Sequence, residues 1–304
     1  MGWFWIALIN PLVLAFINHF DKFLLSKYIK GGTVGALIVF SALFAIIAIP
    51  VVILIDPNVL HSASLIQGLI LMGNGALLTL AILLYLYAID SDEASYVVPF
   101  FEFIPIFGLI LSFLILGEVL SSKYLLSGGI IVAGGVILSL DLTPSPNRFK
   151  KKLVLLMLGS SFFYALNAVI FKYIALDLGF VNSLFWDLIG KFILGVLLLL
   201  SIKSYQKQFF YLIKNNGIAI TGLNIVNEIL GLLGEFALVL AIMYAPVALV
   251  QSVGSTHSAF VLIIGIIITL FFPKFGKETL EKKHLTQKII GITLMIIGVY
   301  FLGF

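Results

Sequence analysis

The sequence predicts an all-α integral membrane protein with ten transmembrane helices in two inverted five-helix repeats. Of its 304 residues, 62% are hydrophobic and only 11% are charged, whereas soluble domains carry about 25% charged residues. The mean hydropathy is +1.20, so almost the whole chain is expected to lie in the membrane. The third observation is an internal duplication on either side of one polar linker.

Ten apolar segments account for the ten predicted helices. Each is long enough to cross a bilayer, and a backbone in lipid must satisfy its hydrogen bonds within the segment, as a helix does. The polar stretch 143–152 divides the chain into a first repeat at 1–142 and a second repeat at 153–304. The segments are residues 3–24, 33–55, 64–89, 94–117, 124–140, 153–176, 180–202, 217–244, 247–272 and 287–304.

The two halves are weakly similar in sequence. Residues 93–107 align without a gap with residues 246–260, which places Glu102 opposite Ser255. Each half also ends in a glycine-rich span. Because each repeat has an odd number of spans, the second must be inserted upside down, and inverted repeats around a central site are typical of transporters.

On these features the chain resembles the drug/metabolite transporter (DMT) superfamily, in its EamA branch, over essentially its whole length. The resemblance rests on the five-plus-five duplication, Pro105 in the fourth span, Gly117–Glu118 after it, and the glycine-rich fifth and tenth spans. It implies a ten-helix bundle with a central cavity, through which small metabolites move by alternating access. The sequence departs from this pattern at Ser258, where the repeat would have proline, and at the interruption 272–278.

The eighth span carries the most polar helix face. Asn224, Glu228, Gly231 and Glu235 recur at i, i+4, i+7 and i+11, so they share one face. A charge at mid-membrane costs roughly 2.5–3.5 kcal/mol, so this face is expected to line a protein interior or a pathway. A buried pair that only fixes helix packing is the alternative.

Further candidates for substrate or proton binding lie in four other spans. Glu102 is flanked by Pro99 and Pro105, and loss of hydration favours its protonated form, so it is suited to carry a proton or to make a structural hydrogen bond. His257 is expected to be a packing residue that points elsewhere. The other candidates are Gln251, Ser255 and Ser258 in the ninth span, Asn74 in the third, and Tyr164 and Asn167 in the sixth.

Three further interpretations concern charged residues. Asp187 and Lys191, spaced i and i+4, are predicted to form a structural ion pair. Lys172 is expected to extend to the membrane interface. The amphipathic stretch 203–214 is interpreted as a helix lying on the bilayer surface.

The predicted spans place four carboxylates at mid-membrane, Glu102, Asp187, Glu228 and Glu235, against one ammonium, that of Lys191. The chain also has 27 Phe and 11 Tyr. These features favour a secondary active transporter that moves a cationic or zwitterionic metabolite, amine- or amino-acid-like, by alternating access with proton coupling. The alternatives are a lipid or lipid-linked-sugar flippase, an exporter of neutral or anionic metabolites such as sugars or nucleotide-sugars, and a passive cation channel.

An enzyme is not expected, because no nucleophile–base pair or metal-ligand set is recognisable, and no cofactor is predicted. The expected partners are a small molecule, protons and membrane lipids, for a monomer or homodimer that does not bind nucleic acid. Of 18 Lys and Arg residues, only Lys123, Lys172 and Lys191 are assigned away from odd-numbered loops. This bias predicts cytoplasmic odd-numbered loops in a prokaryotic inner (plasma) membrane, whereas many members of the resembled family have both termini inside.

Overall fold

A computed structural model describes residues 2–28, 34–91, 97–139, 151–215, 218–271 and 282–303, which form helices and no strands. The predicted linker 143–152, apart from its last two residues, and the interruption 272–278 lie outside these residues. The first half contains α1 (Gly2–Tyr28), α2 (Val34–Ile55), a single turn α3 (Val59–Ser62), α4 (Leu65–Ser91), a 3₁₀ segment (Val98–Phe103), α5 (Ile104–Leu116) and α6 (Ser122–Ser139). The second half contains α7 (Lys151–Leu178), α8 (Phe180–Ser201), α9 (Lys203–Asn215), α10 (Ile218–Tyr244), α11 (Val247–Gly254), α12 (His257–Phe271) and α13 (Lys282–Gly303).

Seven helical stretches among the described residues are long and apolar enough to cross a membrane. They are Gly2–Phe20, Val34–Ile55, Leu65–Ser91, Lys151–Leu178, Phe180–Ser201, Gly222–Tyr244 and Val247–Ile268. Three shorter apolar helices, Phe100–Leu116, Ser122–Ile137 and Thr286–Phe301, coincide with the predicted fourth, fifth and tenth spans. An all-helical membrane protein is therefore supported, while the count of ten spans stays a prediction.

Glycines bring α4 and α8 into backbone contact. A Cβ built on Gly75 would lie 1.9 Å from Asp187 O, and one built on Gly190 would lie 1.9 Å from Met72 O. Such distances exclude any side chain at either position, which is how small residues let membrane helices approach closely. The contact fixes Asp187 of α8 against the centre of α4.

The glycine-rich helices α6 and α13 pack on each other. A Cβ on Gly134 would lie 2.7 Å from Gly291 O, and a Cβ on Gly298 would lie 2.9 Å from Ser127 O. Gly135, however, faces the carboxylate of Glu102. A Cβ built on Gly135 would lie 2.4 Å from Glu102 Oε1. The glycine pair therefore serves both helix packing and the placement of an acidic side chain.

One end of the bundle is tied together by a cluster around Glu118. Gly117 ends α5 with a left-handed φ of 67°, a common helix terminus for glycine, and Glu118 follows it. Glu118 Oε1 lies 2.6 Å from Lys172 Nζ, and Oε2 accepts a hydrogen bond from Val247 N at 2.9 Å. Lys172 Nζ also donates to Ala245 O at 2.8 Å. The prediction that Lys172 extends to the interface is thus wrong, because its ammonium is buried and has two partners inside the protein.

The amphipathic stretch forms a helix, α9, as predicted, and one of its faces packs on α2. Tyr205 and Leu212 are buried, with Leu212 against Ala36 and the Tyr205 ring against Gly35. The Tyr205 hydroxyl is hydrogen-bonded to that of Tyr87 in α4. Phe210 and Tyr211 are exposed. One face of helix α9 therefore packs against the helix bundle, so the helix does not contact the bilayer surface alone.

Candidate functional site

A cavity of about 310 Å³ lies between helices of both halves of the chain. Nine of the ten predicted binding residues are on its wall. They are Glu102, Tyr164, Asn167, Asn224, Glu228, Glu235, Gln251, Ser255 and Ser258. The remaining wall is largely apolar and aromatic, as in most small-molecule sites.

The polar face of α10 forms one side of the cavity, as its spacing predicted. Glu228 Oε2 accepts a hydrogen bond from Ser41 Oγ of α2 at 2.9 Å. Asn10 Nδ2 of α1 donates to Gly234 O at 2.9 Å, which holds α1 against α10. The polar face of α10, which sequence spacing alone predicted, is thus next to hydrogen bonds that join α10 to α1 and α2.

The ion pair of Lys191 differs from the prediction. Lys191 Nζ lies 2.9 Å from Glu235 Oε2 of α10, and not against Asp187 one turn earlier on its own helix. Asp187 instead accepts a hydrogen bond from Asn74 Nδ2 of α4 at 2.7 Å. The predicted intrahelical pair is wrong because the two side chains meet different helices, α10 and α4.

Asn74 lies behind the cavity wall, which corrects its prediction as a cavity residue. Its side chain is held by Asp187, and its main-chain oxygen accepts a hydrogen bond from Asn167 Nδ2 at 3.1 Å. This buried network joins α4, α7 and α8 beside Lys191. Asn74 therefore supports the wall without forming it.

Glu102 sits in a helix break that has a counterpart in the second half. It lies in the 3₁₀ segment just before Pro105, and its side chain is only 4% exposed. In the second half, α11 ends at Gly254 and α12 begins at His257, with Ser255 N bonded to Ser252 O. The two breaks thus fall at Glu102 and Ser255, which the predicted alignment of the two halves pairs with each other.

The sequence interpretation missed several wall residues. Ser41 is the sole hydroxyl or charged residue of Val34–Ile55, a signal that could have identified it. The predicted role of Lys191 is structural, yet its side chain lines the cavity. The His257 side chain also lies on the wall, contrary to the prediction, and its Nε2 atom is 2.8 Å from Asn18 Nδ2. Other wall residues are Phe40, Tyr85, Phe101 and Asn227.

These features are those of a multi-pass membrane protein whose described residues form helices and no strands, with a cavity lined by acidic, amide and aromatic side chains. Residues 1–140 match the model of the EamA-like transporter family, so this part of the chain is similar to that family.

The fold has counterparts among solved structures. One, titled "Crystal structure of protein", has a TM-score of 0.63 and 13% sequence identity, and the alignment covers 100% of this chain and 96% of the other. At that identity the likeness shows the fold alone. No curated protein matches the chain.

Proposed function

We propose that the protein is a secondary active transporter of a small cationic or zwitterionic metabolite, amine- or amino-acid-like, that works by proton-coupled alternating access. The observation that carries the proposal is the charge of the cavity wall. Glu102, Glu228 and Glu235 face it together with one ammonium, Lys191, that is already paired with Glu235. A bound cation would offset the remaining negative charge.

The wall also suits the organic part of such a substrate. Aromatic rings of Phe40, Tyr85, Phe101 and Tyr164 line the cavity, and aromatic faces attract organic cations. The amides of Asn224 and Asn227 lie on the same face as Glu228. The substrate ammonium binds at Glu228 in this proposal, and one of the three cavity carboxylates exchanges a proton for it.

The alternating-access part of the proposal rests on the architecture. Ten spans in two inverted repeats, residues 1–142 and 153–304, would relate the helix break at Glu102 to the one at Ser255. The Glu118–Lys172 cluster ties the end of the bundle where α10 meets α11. With odd-numbered loops in the cytoplasm of a prokaryotic inner membrane, that closed end faces outward. The protein then works in a lipid bilayer as a monomer or homodimer and has no enzymatic step.

Flux in liposomes tests the function. Purified protein is reconstituted, and radiolabelled amines, amino acids and sugars are presented across an imposed pH gradient. We expect saturable, gradient-dependent uptake of an amine or amino acid that is lost in Glu228→Gln and Glu235→Gln. Asp177→Asn, at an exposed acid near the end of α7, is the control and should transport normally.

Three results would contradict this proposal. Normal transport by both glutamine variants would remove the role of the α10 carboxylates. Silence for every charged compound, with signal for a neutral or lipid cargo, would favour the exporter or flippase alternatives. Flux that does not saturate would favour a channel.

A further inference from the structure

Three buried polar side chains lie at or beside the two helix breaks. Glu102, Gln251 and Ser255 are 4%, 5% and 6% exposed. Within the described residues, Glu102 Oε2 and Gln251 Oε1 have no hydrogen-bond partner, and the Ser255 hydroxyl contacts the Glu102 carboxylate. An unsatisfied buried polar atom costs about 1–3 kcal/mol, so two of them on one cavity wall favour a ligand that satisfies both.

Packing holds these groups in place. Gly135 leaves room for the Glu102 carboxylate, and Gly108 leaves room for Gln251 Oε1, which lies 1.8 Å from the position of a built Cβ. Ser255 is one turn after Gln251 and beside Glu102, and all three line the cavity. Ser258 Oγ donates to the other Glu102 oxygen at 3.4 Å and orients the carboxylate. The cluster is therefore built from both halves of the chain.

The chemistry of the three atoms is that of a hard cation site. A carboxylate, an amide oxygen and a hydroxyl are oxygen ligands of the kind that alkali and alkaline-earth ions take. Discontinuous helices near the middle of a bundle are also where transporters hold coupling sodium ions. Both the ligand type and its position thus favour an inorganic cation.

Charge distinguishes a monovalent from a divalent ion. Glu102 is the acidic group of the cluster, and Lys191 is engaged by Glu235. One monovalent cation makes the cluster neutral, whereas a divalent ion would leave a buried positive charge, which is costly away from water. We propose that Glu102, Gln251 and Ser255 form a binding site for Na⁺. This goes beyond the proposed function and leaves Glu228 and Glu235 to carry the proton.

Thermal unfolding of the purified full-length protein tests the site with sodium alone. The melting temperature is measured in detergent against increasing NaCl, KCl or choline chloride at constant ionic strength. A ligand that binds only the native state stabilises it by RT ln(1 + [L]/Kd), so the melting temperature rises with the logarithm of the ligand concentration above Kd. We expect a rise of several degrees in sodium, a much smaller rise in potassium and none in choline.

Two variants and one control locate the effect. Ser255→Ala keeps the charge and removes one ligand, so the sodium concentration needed for a given rise in melting temperature should increase about tenfold, which corresponds to a lost interaction of about 1.4 kcal/mol. Glu102→Gln should abolish the sodium response. Glu228→Gln, at a cavity carboxylate outside the cluster, should keep the wild-type response.

Several outcomes would overturn the sodium site. These are equal melting temperatures in sodium and choline, an equal rise in potassium, or a wild-type response in both Ser255→Ala and Glu102→Gln. A melting temperature that follows pH but not sodium means that Glu102 holds a proton and donates it within the cluster, which also overturns the proposal. Since no transported substrate is used, each of these results leaves the amine-transport proposal standing.

Discussion

At the scale of single residues, the wall of the cavity is determined by which helix each charged side chain faces. Lys191 and Asp187 are one turn apart on α8, yet Lys191 Nζ contacts Glu235 and Asp187 contacts Asn74. The Lys191 ammonium lies at the cavity wall, whereas the Asp187 carboxylate lies behind it. Lys191 therefore sets the charge that a substrate meets beside Glu235.

This arrangement predicts the energetics of Lys191 variants. Lys191→Met removes the partner of a largely buried carboxylate, and such losses cost about 3–5 kcal/mol when the remaining charge stays buried. Because the Glu235 side chain is 19% exposed, we expect the lower end of this range. The free energy of unfolding in detergent should largely recover in Lys191→Met/Glu235→Gln, because position 235 no longer carries a charge that lacks its partner.

A double-mutant cycle between Lys191 and Asp187 is the control for this prediction. We expect a coupling energy well below that of the Lys191–Glu235 cycle, because Lys191 and Asp187 lie on the same helix but contact different partners, Glu235 and Asn74. A larger coupling to Asp187 would reinstate the intrahelical pair and contradict the geometry described above.

At the scale of helices, the contact between α4 and α8 depends on glycine. Gly190→Ala would place a methyl group 1.9 Å from Met72 O, so a helix must shift, at a cost of typically 1–3 kcal/mol. The shift would also disturb the hydrogen bond between Asn74 and Asp187. A melting temperature lowered by several degrees is the expected result.

Gly73→Ala provides the matched control on α4. A Cβ there meets nothing within 4 Å, and alanine favours a helix interior over glycine by about 0.5–1 kcal/mol. We therefore expect Gly73→Ala to be neutral or slightly stabilising. Equal destabilisation by both substitutions would show that loss of glycine flexibility, and not the close contact, matters.

The limits of the sequence are also seen at this scale. Helical spacing placed Asn224, Glu228 and Glu235 on one face correctly, because periodicity is a property of a single helix. It could not tell which neighbour that face meets, so the partners Ser41 and Lys191 came only from the structure. The break at Ser255 was missed for a related reason. No proline marks it, and only its alignment with Glu102 hinted at it.

At the scale of the whole molecule, the Glu118 cluster and the cavity occupy different parts of the bundle. The cluster joins the end of α5, α7 and the turn between α10 and α11, while Leu37, Phe40 and Leu212 contribute to the cavity from α2 and α9. In the proposed alternating-access cycle the tied end opens, and the Glu118 contacts would have to break.

Cysteine labelling tests this role, since the natural chain contains no cysteine. Ala248 follows Val247 at the tied end and is 3% exposed, so Ala248→Cys should react slowly with a membrane-impermeant maleimide. Adding Glu118→Gln weakens both the Lys172 ion pair and the bond from Val247 N, and a loss of about 1.4 kcal/mol raises the open population tenfold. The labelling rate should rise accordingly, whereas adding Asp177→Asn should leave it unchanged.

On intact cells the reagent should act from outside if odd-numbered loops are cytoplasmic. Labelling that requires access from the cytoplasm would reverse the orientation, and an unchanged rate with Glu118→Gln would reduce the cluster to a packing contact.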